Sequence, residues 1–204
     1  SAAMTGVVIL DTGCCNLTSL CAAVRRLGVD PIVTDKPEVA RQAQRLFLPG
    51  VGTAQAAMRE LQKRALAQCI QEAECPVLGI CLGMQLLGAE SEETGGVEML
   101  GVIPQKVSKL QVGSLTLPHM GWNRVKALVD DPIFDGLASA EGEYFYFVHS
   151  YAYAVNPFTI AETDYGEKFS SVIRKDNFYG VQFHPERSGA AGARLLKNFL
   201  ELKL

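Results

Sequence analysis

The stretch Pro76-Val77-Leu78-Gly79-Ile80-Cys81-Leu82-Gly83-Met84-Gln85 decides the fold. Its first five residues form an apolar run of strand length, and Leu82 to about Leu87 suits a helix. A cysteine stands at the junction with a glycine two residues away on each side. Glycines at 79 and 83 remove side chains that would clash in a tight strand-to-helix turn, so the sequence predicts a nucleophile elbow with sulfur in place of oxygen. Such a thiol lies at the carboxyl end of a parallel strand, where open α/β sheets bind ligands. It also lies at a helix N-terminus, whose partial positive charge favours thiolate. An isolated Gly-x-Cys-x-Gly fits a buried structural cysteine equally well. The rest of the chain must therefore supply the partners.

Outward toward the N-terminus, strands and helices alternate. Val7-Val8-Ile9-Leu10 reads as a buried strand ending at Asp11-Thr12-Gly13. Leu17, Leu20, Cys21, Val24 and Leu27 recur at helical spacing, with Gly28 as C-cap. Pro31–Thr34 is a second strand, and Arg45–Leu48 a third, stopped by Pro49-Gly50. Thr53 caps a helix running to about Ala73. Strand, helix, strand in this rhythm means parallel pairing with right-handed crossovers.

Toward the C-terminus the character changes. Glu92–Gly96 reads as a surface loop, followed by extended segments at Val102–Leu110, Ser114–Leu117, Trp122–Val129, Tyr144–Val155, Ser170–Arg174 and Tyr179–Phe183. Gly189–Leu204 closes the chain; its Ala193, Leu195, Leu196, Phe199 and Leu200 suit a packed helix. The expected architecture is one α/β domain over residues 4–204. Its central sheet is mixed but largely parallel and flanked by helices, with a smaller antiparallel strand layer beside it. Ser1-Ala2-Ala3 before Met4 reads as a tag remnant.

A cysteine nucleophile needs a base, normally a histidine held by a third group. The chain has three histidines. His119 precedes Met120-Gly121-Trp122, His149 lies in an aromatic strand-like stretch, and His184 stands in Gln182-Phe183-His184-Pro185-Glu186. With Pro185 keeping the chain extended, residues 184 and 186 project to one side. Glu186 can then hold His184 Nδ1 while Nε2 faces the thiol. Alone, His-Pro-Glu fits a turn histidine beside a solvated glutamate. The order Cys…His…Glu, each at a strand end, makes the joint reading the stronger one.

Composition narrows the class. The 204 residues are 48% apolar and 20% charged, with a net charge of -3, which argues against a nucleic-acid binder. No apolar run reaches the roughly 18 residues of a spanning helix, so no membrane crossing is expected. Six cysteines without a secretion signal or a C-x-x-C pair read as reduced thiols of a cytoplasmic protein, with no metal and no cofactor expected.

Three elements together resemble the class I, or triad, glutamine amidotransferases: Gly79–Gln85, His184-Pro185-Glu186, and the Pro49-Gly50-Val51-Gly52 loop after an earlier strand. Further stretches resemble the branch that forms the glutaminase subunits of imidazole glycerol phosphate synthases. These are Asp11–Leu17, Pro118–Asn123 and Tyr146–Tyr151. Cys15 departs from the glycine common at that place in relatives. A glutaminase subunit of another amidotransferase, such as anthranilate or aminodeoxychorismate synthase, is the alternative, and the Pro118–Asn123 stretch argues against it.

The resemblance implies hydrolysis of glutamine by Cys81, His184 and Glu186. It implies oxyanion donors at Leu82 N–H and in the Gly50-Val51-Gly52 loop, and glutamine held by Gly50, Gly52, Gln85, Ser150 and Tyr151. By residue pattern alone, Gln85 fits a helix surface, and Ser150 and Tyr151 fit ordinary strand alternation. The implied partner is a cyclase subunit of (β/α)₈ barrel type, in a heterodimer, that receives the ammonia. Asn16 and the lone Trp122 are the expected docking residues; a half-buried core tryptophan is the plainer reading of Trp122.

Overall fold

A computed structural model describes residues 5–13, 16–138 and 141–204. The expected tag remnant and the Cys14–Cys15 pair lie outside the described residues. In the first half, β1 (Val7–Leu10), α1 (Thr18–Arg26), β2 (Ile32–Thr34), α2 (Pro37–Ala40) and β3 (Arg45–Gly50) lead into α3 (Ala54–Lys63), α4 (Leu66–Gln71), β4 (Val77–Cys81) and α5 (Leu82–Leu86). Strands β5 (Gly88–Ser91), β6 (Val97–Glu98), β7 (Ile103–Lys109), β8 (His119–Ala127), β9 (Glu143–His149) and β10 (Tyr151–Tyr153) follow. The chain ends with β11 (Thr159–Asp164), β12 (Lys168–Lys175), β13 (Phe178–Val181) and α6 (Gly189–Leu200).

The large sheet runs β2-β1-β3-β4-β13-β12-β11-β8-β9. The β2 to β13 half is parallel, as the βα rhythm predicts, and the other half is antiparallel. The second sheet runs β10-β7-β5-β6, with its two outer pairs antiparallel and β5–β7 parallel. Both faces of the parallel half are covered, so its strands alternate between two cores. Val7, Ile9, Leu78 and Ile80 pack on the side of α1 and α6; Val8, Leu10, Leu46 and Leu48 pack toward α3, α4 and α5. Burying each of these side chains contributes roughly 1.5–3 kcal/mol. No helix among the described residues is long and apolar enough to cross a membrane.

Several local expectations are corrected. Strand β3 continues through Pro49 and Gly50, which pair with Ile80 and Cys81. Pairing with β1 ends at Phe47, so no partner on that side needs the N–H that Pro49 lacks. The helix expected from Thr53 to Ala73 is two helices, broken at Ala65 with φ 58°. Leu61 and Leu66 are both fully buried. In one straight helix, residues five apart would point about 140° apart, and the break lets both face the core. Ser114–Leu117 is a turn rather than a strand, set up by Gly113 at φ 61°. The stretch 144–155 is two strands, because the chain leaves one sheet and joins the other at Ser150. In the closing helix, Ala193 lies on the exposed side.

Candidate active site

Three neighbouring parallel strands deliver the site. Gly50 on β3 pairs with Cys81 on β4, and Val181 on β13 pairs with Ile80. The residues just past their carboxyl ends therefore meet, as open α/β sheets dictate. Cys81 sits at φ 57° and ψ −114°, a backbone conformation that non-glycine residues avoid and that persists only where its surroundings impose it. They do so through two glycines. A Cβ on Gly79 would lie 2.7 Å from Gly83 O, and one on Gly83 would lie 1.8 Å from Leu48 O. The backbones of β3, β4 and α5 touch directly there, and the turn has no room to relax. Helix α5 is only five residues long, so its dipole is a small electrostatic aid. Leu82 heads it, and its N–H has no intrahelical acceptor. Tyr153 is fully buried and its hydroxyl caps the other end, donating to Met84 O at 2.9 Å and Gln85 O at 2.8 Å.

His184 follows β13. Its Nδ1–H donates to Glu186 Oε1 at 2.9 Å, with both side chains at most 10% exposed. The expected extended geometry does not make this contact: Pro185–Arg187 is a 3₁₀ turn, which curls Glu186 back under the ring. Ser188 Oγ donates to His184 O at 2.6 Å, and His184 N donates to Tyr146 O at 2.9 Å, fixing the backbone. Helix α6 presses on the turn at Gly192, where a Cβ would meet Pro185 O at 1.9 Å. With Nδ1 committed to Glu186, Nε2 is buried and has no hydrogen-bond acceptor or donor of good geometry in the protein. It is thereby left for the cleft. Burial alone would lower the ring's pKa. The nearby Cys81 sulfur and the hydrogen-bonded charge of Glu186 outweigh it and raise the pKa to about 10. The ring therefore holds its proton at neutral pH. The pair's stability contribution is full below the ordinary value of 6.5 and is lost as pH rises toward about 10.

The cleft in front of the sulfur has a volume of about 230 Å³ and is lined by Val51, Gly52, Leu82, Gln85, Ser150 and Tyr151 together with Cys81 and His184. That is below the roughly 300–1,000 Å³ of drug-sized sites and suits a single small metabolite. Gly52 has φ 91°, and a Cβ there would meet nothing within 4 Å, so this loop borders open space. Gln85 is not on a helix surface. It is 5% exposed, and its Nε2 donates to Tyr151 O at 2.9 Å and Gln182 Oε1 at 3.0 Å. Of the remaining expected residues, Gly50 lies behind the cleft in β3. Asn16 and Trp122 lie outside the cleft lining and are both exposed.

Sequence reasoning missed Glu93, Val148, His149 and Gln182. The first three line the cleft, and Gln182 Nε2 lies 3.8 Å from Cys81 Sγ. Gln182 was legible in principle, two residues before His184 on a strand end and hence on the same side. Glu93 had no local signal. It reaches the site because its Oε1 accepts from Ala54 N at 2.6 Å, across from the start of α3.

Replacing Glu186 by Gln keeps an acceptor for Nδ1–H but removes the charge. The pKa of His184 then falls, so the alkaline limb of a kcat/KM profile moves to lower pH. Turnover drops on the order of 10²-fold. An alkaline limb that stays in place in Glu186→Gln rules out this coupling.

A family model, glutamine amidotransferase class-I, matches residues 8–202. The imidazole glycerol phosphate synthase subunit HisH of Salmonella typhimurium is 60% identical over 196 residues, covering 96% of this chain and 99% of that protein. The HisH subunit of Escherichia coli K12 is 59% identical over the same length and coverage. Among solved structures, a glutamine amidotransferase has TM-score 0.74 at 19% identity, covering 96% of this chain and 98% of that one. The structure of PurLQS from Thermotoga maritima gives 0.71 at 17%, with 95% and 96% covered. At those identities the structures speak for the fold, while the family model spans the nucleophile turn, the base and the cleft between them. The chain belongs to the class-I glutamine amidotransferases.

Proposed function

We propose that this chain is the glutaminase subunit of an imidazole glycerol phosphate synthase, hydrolysing glutamine to glutamate and ammonia for a partner subunit in histidine biosynthesis. One observation carries the chemistry: a cysteine on a strained turn shares a single-metabolite cleft with a histidine that a glutamate holds at 2.9 Å. Identity of 60% to a HisH subunit carries the choice of synthase.

Cys81, as thiolate, attacks the side-chain carbonyl carbon of glutamine. The oxyanion that forms is met by Leu82 N–H and by an N–H of the Gly50-Val51-Gly52 loop. His184 gives its proton to the departing nitrogen, and ammonia leaves a glutamyl thioester. A water then loses a proton to His184 and attacks the thioester carbonyl. Glutamate departs with Cys81 restored. Gln85, Ser150, Tyr151 and Gly52 hold the rest of the substrate. Glu93, whose carboxylate lines the cleft, meets its ammonium group in this reading.

The partner in this reading is a (β/α)₈ cyclase subunit, and the compartment is the cytoplasm, consistent with free thiols at Cys21, Cys69, Cys75 and Cys81. Docking uses the outer face of β8 and β9. There Trp122 is 56% exposed beside Tyr146, and Met120 is 61% exposed. Such a ledge of aromatic area is typical of binding hot spots. Trp122→Ala is expected to raise the Kd of the complex roughly 20-fold, about 2 kcal/mol. The variant's partner-free hydrolysis should stay unchanged. Unaltered affinity would remove Trp122 from the interface.

The test of the function is glutamate release from glutamine, with and without the cyclase subunit and its nucleotide ligand. Partner binding is expected to raise the rate strongly by reorienting the Gly50–Gly52 loop. Full turnover by the chain alone would contradict that coupling. No turnover under either condition would end the glutaminase reading.

A further inference from the structure

Two buried histidines that the hydrolysis does not use form a chain of hydrogen bonds from the outer strands to the cleft. His149 Nδ1 lies 3.0 Å from Tyr151 O, His119 Nδ1 lies 2.9 Å from His149 Nε2, and Asn123 Nδ2 lies 3.1 Å from His119 Nε2. The direction of every bond follows by elimination. The Tyr151 carbonyl only accepts, so His149 carries its proton on Nδ1 and its Nε2 is bare. That bare nitrogen must accept, so His119 also carries its proton on Nδ1, and its own Nε2 accepts from Asn123. The amide of Asn123 is independently oriented, because its Nδ2 donates to Asp164 O at 3.0 Å and its Oδ1 accepts from Arg124 N at 2.7 Å. Backbone groups at both ends thus fix one polarity for the whole chain.

The surroundings keep both rings neutral. His119 is 2% exposed and stacks between Phe147 and Tyr165, with centroids 4.8 Å and 4.2 Å away. His149 is 6% exposed and packs against Phe169 at 4.9 Å. Burial lowers His119 to about 4. Burial lowers His149 to about 3, against the Tyr151 hydrogen bond and with minor help from the neighbouring rings of His119 and His184. In so dry a box each bond is strong, and an unmet polar atom is costly.

The chain ends where the substrate begins. Tyr151 O accepts from His149 and also from Gln85 Nε2. The second hydrogen of that amide goes to Gln182 Oε1, whose own amide nitrogen faces Cys81 Sγ at 3.8 Å. Both Gln85 hydrogens are committed, so Gln85 offers the cleft only its carbonyl oxygen. We propose that His119, acting through His149 and anchored by Asn123, is a positioning residue for the glutamine site: it fixes the Tyr151 carbonyl and with it the orientation of the Gln85 amide. Neither His119 nor Asn123 touches the cleft, so their effect on substrate is indirect. The proposal rests on the glutaminase reading above.

The rings can be read directly. The chain has three histidines, so ¹⁵N-histidine spectra of the labelled protein resolve each ring. At pH 7, His119 and His149 are expected as neutral Nδ1–H tautomers, the minority form of histidine in water. Finding either ring protonated at Nε2 overturns the relay, whatever the activity. Kinetics with saturating partner subunit give the second readout. His119→Phe keeps the aromatic stack and removes both hydrogen bonds. Asn123→Asp reverses the donor at the far end and spares the core. Each is expected to raise the KM for glutamine roughly tenfold, the scale of one lost buried hydrogen bond, with kcat within about threefold. If the wild type turns over glutamine and Asn123→Asp leaves KM within about twofold, the relay is refuted. A wild type with no glutaminase activity would refute the functional reading instead, and the spectra would still judge the hydrogen bonds. Should His119→Phe fail to fold, the spectra and Asn123→Asp decide alone.

Discussion

Cys81→Ala is expected to reduce glutamate release on the order of 10⁴-fold or more, the scale on which removal of a covalent nucleophile acts. The physical case is that, among the described residues, Cys81 is the one thiol that lines the cleft. Cys69 is buried, and desolvation raises its pKa. Cys75 is raised by desolvation as well, and both line a different depression, beside Arg41 and Glu72. Without sulfur, a water would have to attack an unactivated amide directly, assisted only by His184 and the oxyanion donors. The fold should survive, because the loss is one small atom that borders the cleft. Glutamine should also still bind, since Gln85, Tyr151 and Glu93 are untouched. In the complex, the variant should therefore bind glutamine with near-normal Kd by calorimetry and release none of its nitrogen. Supplied with an ammonium salt instead, the same complex should still run the partner's reaction. A variant that retains a tenth of wild-type glutaminase activity would show that Cys81 is not the nucleophile. Loss of both glutamine-dependent and ammonia-dependent turnover would point to a broken complex rather than a missing sulfur.

How much of this site the sequence discloses depends on whether the determining forces are local. The elbow was legible because its constraint is steric and lies within five residues: glycine at 79 and 83 has a reason visible in the chain itself. The strand run of Val7–Leu10 was legible because a strand buried on both faces needs an unbroken apolar run. The pairing of His184 with Glu186 was legible in identity but not in geometry, since a 3₁₀ turn and an extended strand both fit His-Pro-Glu. Strand β11 was overlooked because Thr159–Asp164 carries four polar residues in six. Its buried Thr159 and Thr163 are satisfied by Ser170 Oγ and Arg124 O, which only the folded sheet brings near. The break at Ala65 has no glycine or proline to announce it, and tertiary burial of Leu61 and Leu66 overrides helix propensity there. Glu93 and the His119–His149 pair are products of topology. The sheet switch at Ser150 sets β9 and β10 at right places in two different sheets, and His149 occupies the last position before it.

Gly83→Ala tests the other half of the argument, that close backbone approach rather than side-chain chemistry builds the nucleophile's strained turn. A Cβ at 83 would stand 1.8 Å from Leu48 O and 2.8 Å from Leu48 C. Both are backbone atoms of β3, which is held between β1 and β4 and cannot withdraw without parting the centre of the sheet. Helix α5 cannot withdraw either, because Gly79 already stands in contact with its first turn and Tyr153 holds its last carbonyls. Overpacking a core usually costs about 1–3 kcal/mol. With no side chain able to yield, the cost here is expected to reach at least about 3 kcal/mol, a drop in Tm of roughly 6–12 °C for a chain of this size. Any folded fraction should lose glutaminase activity, since a displaced α5 moves Leu82 N–H and Cys81 together. Gly180→Ala is the matched comparison on the neighbouring strand. Its Cβ would meet Met84 Cγ at 2.5 Å, and Ile173 Cγ2 and Met84 Cβ at 3.0 Å, which are side-chain atoms at longer distances than the backbone carbonyl that Gly83 meets. That variant should lose clearly less stability, by thermal melting of both under the same conditions. Equal losses in the two would mean that crowding of the sheet in general, and not the contact of α5 with β3, sets the cost. A stable and active Gly83→Ala would mean that the turn does not need the backbone contact at all.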